Sequence, residues 1–131
     1  MADQSIRVAL LGLGQIGHAF AEHLLERSQE DGMPIEVAAV ADHHPDNPVA
    51  MGFAHSNVPV YTDGLEVTEL GEKLDIIFDL TGNEELRRGL RDQLASQGNR
   101  HTVIAPEVMA RMMWCFFDEG GDMPLHGAGG Y

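Results

Sequence analysis

Three glycines near the amino terminus have the type and spacing to do chemistry. In Ile6-Arg-Val-Ala-Leu-Leu-Gly-Leu-Gly-Gln-Ile-Gly17 a short apolar run breaks into G-x-G-x-x-G at Gly12, Gly14 and Gly17, and a long amphipathic segment follows. Each glycine has its own task in such a motif. Gly12 permits a sharp turn, Gly14 lets backbone approach a pyrophosphate, and Gly17 lets a helix pack close to a strand. Gln15 and Ile16 then stand in the first helical turn, whose free N–H groups and positive dipole end suit an anion. Strand, tight turn and helix in that order are the context in which the motif means dinucleotide binding.

A second group supports the first. Asp42 closes the next apolar run, Ile35 to Ala41. A carboxylate at that place accepts hydrogen bonds from ribose hydroxyls and repels a 2′-phosphate, which favours NAD over NADP. His43 and His44 beside it partly offset the repulsion. Thr81 and Gly82 follow a fourth apolar run, where a ligand in the crevice should touch the turn, and Asn83 suits a helix N-cap. S-adenosylmethionine, or another adenosine ligand, is an alternative occupant of a glycine loop with an acid after the second strand. The full three-glycine fingerprint favours the dinucleotide. The seven histidines (18, 23, 43, 44, 55, 101 and 126) show no metal-ligand spacing, and no general acid–base set stands out. The expected metal and catalytic complement is therefore none.

Strands and helices must alternate to position these groups. Strand one is predicted over Ile6–Leu11, apolar nearly throughout, as a parallel strand covered on both faces requires. Ile16, Ala19, Phe20 and Leu24 recur at helical spacing, predicting a helix from Gln15 to Gln29. Strand two covers Ile35–Ala41. An irregular stretch to Pro59, with a short helix near Val49–Ala54, precedes a brief third strand over Val58–Tyr61. A helix over Leu65–Lys73 leads to strand four, Asp75–Leu80. A helix capped by Asn83 runs to Ser96, strand five covers His101–Ala105, and a last helix opens on Pro106 and reaches Phe117. The class is α/β, a Rossmann-type doubly wound parallel sheet in the order 3-2-1-4-5, with the crevice where strands one and four diverge. Residues 1–117 form one domain, and the Gly-rich stretch 118–131 is expected to be a disordered tail.

Composition excludes several classes. The net charge is −13 over 131 residues. So acidic a surface repels phosphate backbones and anionic lipid, so neither nucleic acid nor membrane is an expected partner. No apolar run is long enough to span a bilayer. The first residues, Met1-Ala-Asp-Gln-Ser, resemble no targeting signal, and one cysteine, Cys115, suits a reducing cytoplasm. Met109, Met112, Met113, Trp114, Phe116 and Phe117 give the last helix an apolar surface too wide to face only the sheet. That surface is expected to meet a second copy, as a homodimer or larger homo-oligomer, or a following domain, through helix 106–117.

The segment Ile6–Leu25 resembles the N-terminal NAD(P)-binding domain of homoserine dehydrogenases, and also the wider group that includes Gfo/Idh/MocA oxidoreductases and L-aspartate dehydrogenase. Leu74-Asp-Ile-Ile-Phe-Asp-Leu-Thr-Gly82 is similar to that group's fourth strand. The resemblance implies cofactor roles for Gly12, Gly14, Gly17, Asp42 and the Thr81–Gly82 turn. It also implies a lysine just after strand five, near hydride transfer. Here that place reads Ile104-Ala-Pro-Glu-Val108, and the single lysine, Lys73, precedes strand four. Short modules of this kind also resemble the N-terminal parts of some bacterial multidomain signalling proteins. The expectation is an NAD(H)-binding domain that senses or regulates, or serves as the cofactor domain of a larger protein. The alternative is an NAD-dependent oxidoreductase like homoserine dehydrogenase, its substrate domain absent or supplied by another chain.

Overall fold

A computed structural model describes residues 5–30, 32–44 and 46–116, with only the backbone of Gln15 and Ile16. Ten elements follow in order: β1 (Ile6–Leu11), α1 (Gln15–Ser28), β2 (Ile35–Ala41), α2 (Pro48–His55), β3 (Val60–Tyr61), a 3₁₀ segment (Gly64–Lys73), β4 (Ile76–Asp79), α3 (Glu84–Ser96), β5 (Val103–Pro106) and α4 (Glu107–Trp114). The five strands form one sheet in the order β3-β2-β1-β4-β5. Every pairing is parallel. This is the doubly wound order read from the sequence, with β1 between β2 and β4.

Alternation along the strands sends side chains to two opposite cores. Val8, Leu10, Val37, Val40 and Phe78 join Phe20, Ala21 and Leu24 of α1, Val49 and Phe53 of α2, and Ala110 and Trp114 of α4. Ala9, Leu11, Ala38, Ala39, Ala41 and Ile77 join Val67 of the 3₁₀ segment and Leu90 and Leu94 of α3. Phe20 and Phe78 meet with ring centroids 5.2 Å apart and planes tilted by 60°. A register shift between Val8 and Ala9 inserts Ala38 as an extra residue in β2, so Ala38 and Ala39 share a face.

Several elements differ from the sequence reading: α1 ends at Ser28, β5 begins at Val103 and α4 ends at Trp114, and four further differences concern type or extent. The segment before β4 is 3₁₀ rather than α-helix. A capping box of Asp63 and Glu66 starts it, and Gly71, at φ 56° and ψ −138°, breaks it before an α-helix could propagate. Pro106 is the last residue of β5 and the N-cap of α4, extended at ψ 172°, not a helical residue. β3 and β4 are shorter than expected, pairing with β2 and β1 over Val60–Tyr61 and Ile76–Asp79. α2 is one residue longer at each end, with Asn47 as N-cap and Pro48 in the first turn. Phe117 and the tail 118–131 lie outside the described residues. No described helix is long and apolar enough to cross a membrane.

Candidate cofactor-binding site

The carboxyl ends of β1, β2 and β4 bring three turns together. After Leu11 the chain turns at Gly12, whose φ of +89° is open to glycine but strained for other residues. A Cβ there would also stand 2.9 Å from Thr81 Cγ2 and 3.2 Å from the Leu80 carbonyl carbon. Gly12 N–H donates to Ala41 O at 2.9 Å, and Leu80 N–H donates to Leu11 O at 2.9 Å. The glycine turn is thus pinned to the ends of both neighbouring strands. At Gly17 a Cβ would overlap the Gly12 carbonyl oxygen, so only glycine lets α1 start this close to the turn. Gly14 is the opposite case: a Cβ would meet nothing within 4 Å. Gly14 is the N-cap of α1, without a side-chain cap, and the first turn carries no acid. Gly14 thus offers the start of α1 no side-chain cap and leaves open space where its own Cβ would stand, which fits the approach of a pyrophosphate.

Asp42 stands where β2 ends, with its side chain about 10% exposed. Its Oδ2 accepts from Leu13 N–H at 2.7 Å and its Oδ1 from His44 N–H at 2.8 Å. His44 Nδ1 lies 3.6 Å from Oδ1. The carboxylate therefore ties the tip of the glycine turn to β2 and shapes the loop after it. Both oxygens keep lone pairs for further donors.

Thr81 and Gly82 form the turn after β4, built on a group that sequence reasoning did not single out. Asp79 is fully buried. It accepts from Thr81 N–H at 3.1 Å, Thr81 Oγ1 at 2.6 Å and Arg87 Nε of α3 at 3.0 Å. A buried carboxylate is tolerated only with such partners, and these hold Thr81 against Gly12. Asn83 caps α3, its Oδ1 accepting from the N–H groups of Glu85 and Leu86. The signal for Asp79 was a charge inside an otherwise apolar strand. Asn47 was missed too, although Asn before Pro48 is a helix-start signal. Its Nδ2 donates to Leu13 O at 3.3 Å.

The expected site residues Gly12, Gly14, Gln15, Ile16 and Gly17 thus share one turn, with Asp42 on one flank and Thr81 and Gly82 on the other. His18 adjoins the glycine turn, whereas His101 and Lys73 lie apart from it. His18 pairs with Glu22 on α1 at 3.1 Å. His101 Nε2 meets Asp75 Oδ1 at 2.5 Å, at the amino edge of the sheet. Lys73 ends the 3₁₀ segment at that same edge, across the sheet from the glycine turn. Among the described residues no group of three or more His, Cys, Asp or Glu is placed to hold a metal ion.

Among solved structures, the homoserine dehydrogenase of S. aureus at pH 7.5 matches with a TM-score of 0.54 and 21% identity, over 89% of this chain and 31% of that one. The same enzyme at pH 6.5 matches with a TM-score of 0.52 and 21% identity, over 90% and 31%. A hyperthermophilic archaeal homoserine dehydrogenase in complex with NADPH matches with a TM-score of 0.47 and 14% identity, over 77% and 43%. The chain spans about a third of the length of the S. aureus enzyme. No curated protein matches. The family described as homoserine dehydrogenase, NAD-binding domain, matches residues 12–110, from the first glycine of the turn into α4. With that match over most of its length, the chain belongs to the family of homoserine dehydrogenase NAD-binding domains.

Proposed function

We propose that this domain binds NAD(H) across the carboxyl ends of β1, β2 and β4, and that binding rather than turnover is its output. The carrying observation is the glycine turn, closed by packing at Gly12 and Gly17 and open at Gly14 before the uncapped start of α1. The first-turn N–H groups would hold the pyrophosphate. Asp42 would accept ribose hydroxyls with its remaining lone pairs, and its charge would oppose a 2′-phosphate, favouring NAD over NADP. Thr81 and Gly82 would border the nicotinamide half. The bound group supplies a ring that takes up or releases hydride. Different affinities for its oxidised and reduced forms would be the signal. The end of β5 and the start of α4, Ala105-Pro106-Glu107, carry no lysine that could stand beside that ring. Calorimetric titration with NAD+, NADH and NADP+ tests the reading. Binding of NAD+ or NADH tighter than NADP+ is expected, and no binding tighter than about millimolar to any of the three overturns it.

Membership of the family favours a second reading, an NAD-dependent oxidoreductase completed by a substrate domain. Homoserine-dependent reduction of NAD+ by this chain together with a separately supplied homoserine dehydrogenase substrate domain would establish it, and no turnover in that mixture with intact cofactor binding supports the sensor.

Self-association belongs to the same proposal. α4 exposes Val108, Met109 and Met112, and Phe116 beyond it is 76% exposed. This stretch carries one acid, Glu107, and one base, Arg111, on a molecule of charge −13. Two copies would meet there with less repulsion than across the acidic remainder, so a second copy is the proposed occupant. The single cysteine, Cys115, is exposed, which suits a reducing compartment such as the cytoplasm.

A further inference from the structure

The Leu13 peptide, at the tip of the glycine turn, is gripped at both ends by one short loop. Its N–H donates to Asp42 Oδ2 at 2.7 Å, and its carbonyl accepts from Asn47 Nδ2 at 3.3 Å. Asn47 is fixed in turn. Its Oδ1 accepts from Val49 N–H at 2.7 Å, capping α2, and its own N–H donates to His44 O at 2.9 Å. The Leu13 side chain is buried in the α1 side of the core, so its peptide group sits where an unpaired carbonyl would be costly. Cap and grip together make a chemical demand. Asp, Ser and Thr cap helices as well as Asn does, but a helix-capping Asp cannot also donate to a carbonyl, and Ser lacks the reach.

We infer that Asn47 is a positioning residue for the dinucleotide, holding the Leu13 peptide so that the Gly12–Gly14 turn presents the first-turn N–H groups of α1 to the pyrophosphate. This rests on the reading that the turn binds a dinucleotide. Asn47 acts from one loop away: it grips Leu13, and Leu13 sets where Gly14 and α1 begin. Small displacements of an anion-binding turn weaken several charge-assisted bonds at once.

Two variants separate grip from cap. Asn47→Asp keeps the acceptor for Val49 N–H and sets a carboxylate oxygen against the Leu13 carbonyl. Asn47→Ser keeps a capping oxygen, adds no charge and removes the reach. Each is measured by thermal melting, by hydrogen exchange at the Leu13 amide, and by titration with NAD+ and with adenosine, which has no pyrophosphate. The expected result is a folded domain with a lowered melting temperature, faster exchange at Leu13, and NAD+ affinity reduced about tenfold in both variants with adenosine affinity unchanged. NAD+ binding by the unaltered domain with unchanged affinity in both variants overturns the inference alone. So does an equal loss for adenosine and NAD+, which would place the effect outside the pyrophosphate. Failure of the unaltered domain to bind NAD+ overturns the cofactor reading and the inference with it.

Discussion

Gly14 and Gly17 share a motif yet fail for opposite reasons. Gly14 has φ −76° and open space where a Cβ would go, so Gly14→Ala should fold as well as the parent. The new methyl would occupy the approach to the α1 N-terminus, and NAD+ affinity should fall by at least tenfold. Gly17→Ala instead drives a methyl into the Gly12 carbonyl oxygen and must push α1 off the turn, a loss of about 1–3 kcal/mol. Urea denaturation with titration of each variant checks the pair, and a destabilised Gly14→Ala would contradict the geometry. At this scale the turn at Gly12, the close packing at Gly17 and the place of Asp42 at the end of β2 were legible, because they follow from residue type and local spacing. The bonds from Leu13 to Asp42 and Asn47 were not. They join positions 29 and 34 residues apart, and only the pairing of β1 with β2 brings them together.

At the scale of elements, the amino edge of the sheet is stapled by Asp75. Its Oδ2 accepts from Arg7 N–H at 2.8 Å and its Oδ1 meets His101, linking the starts of β1, β4 and β5. The Arg7 N–H bond first, then the His101 bond, holds its carboxyl below the ordinary carboxylate range. A group whose pKa is lower folded than unfolded stabilises the fold above its unfolded pKa of about 3.9, and that support is lost as pH falls through the folded value. Stability should therefore drop on acidification below about pH 4, and Asp75→Asn should flatten that limb while leaving less stability at neutral pH. Denaturant midpoints measured from pH 7 to pH 3 check this, and parallel curves for the two proteins would contradict it. β1, β2 and the N-cap Asn83 were readable because a doubly buried strand is apolar throughout and a cap is a local preference. The 3₁₀ segment was not, since its ten residues satisfy a helical pattern that one non-helical residue, Gly71, interrupts.

For the whole molecule, charge and apolar surface pull in opposite directions. Copies carrying −13 repel at low salt, while the α4 face offers apolar area. Screening shortens the repulsion to about 10 Å at 0.1 M salt and about 3 Å at 1 M. The dimer fraction seen by sedimentation should therefore rise with salt, and Met112→Glu should return the chain to monomer at every salt concentration. A monomer at all concentrations, or a dimer indifferent to Met112→Glu, would remove α4 as the contact.

The two cores give the sheet two kinds of vulnerability. On one side aromatic and branched side chains fill the gap between strands and helices, with Phe20 on Phe78 at its centre. On the other, β2 lays down Ala38, Ala39 and Ala41, an alanine floor on which the 3₁₀ segment rests. Substitution should wound them in opposite senses. Phe20→Ala should cost about 3–5 kcal/mol through the void it leaves. Ala39→Leu should cost about 1–3 kcal/mol by prising the opposite layer away. A library sorted for folding would then tolerate shrinkage least on the aromatic side and growth least on the alanine side. The fold would record in its tolerated volumes which face of each strand looks toward which helices.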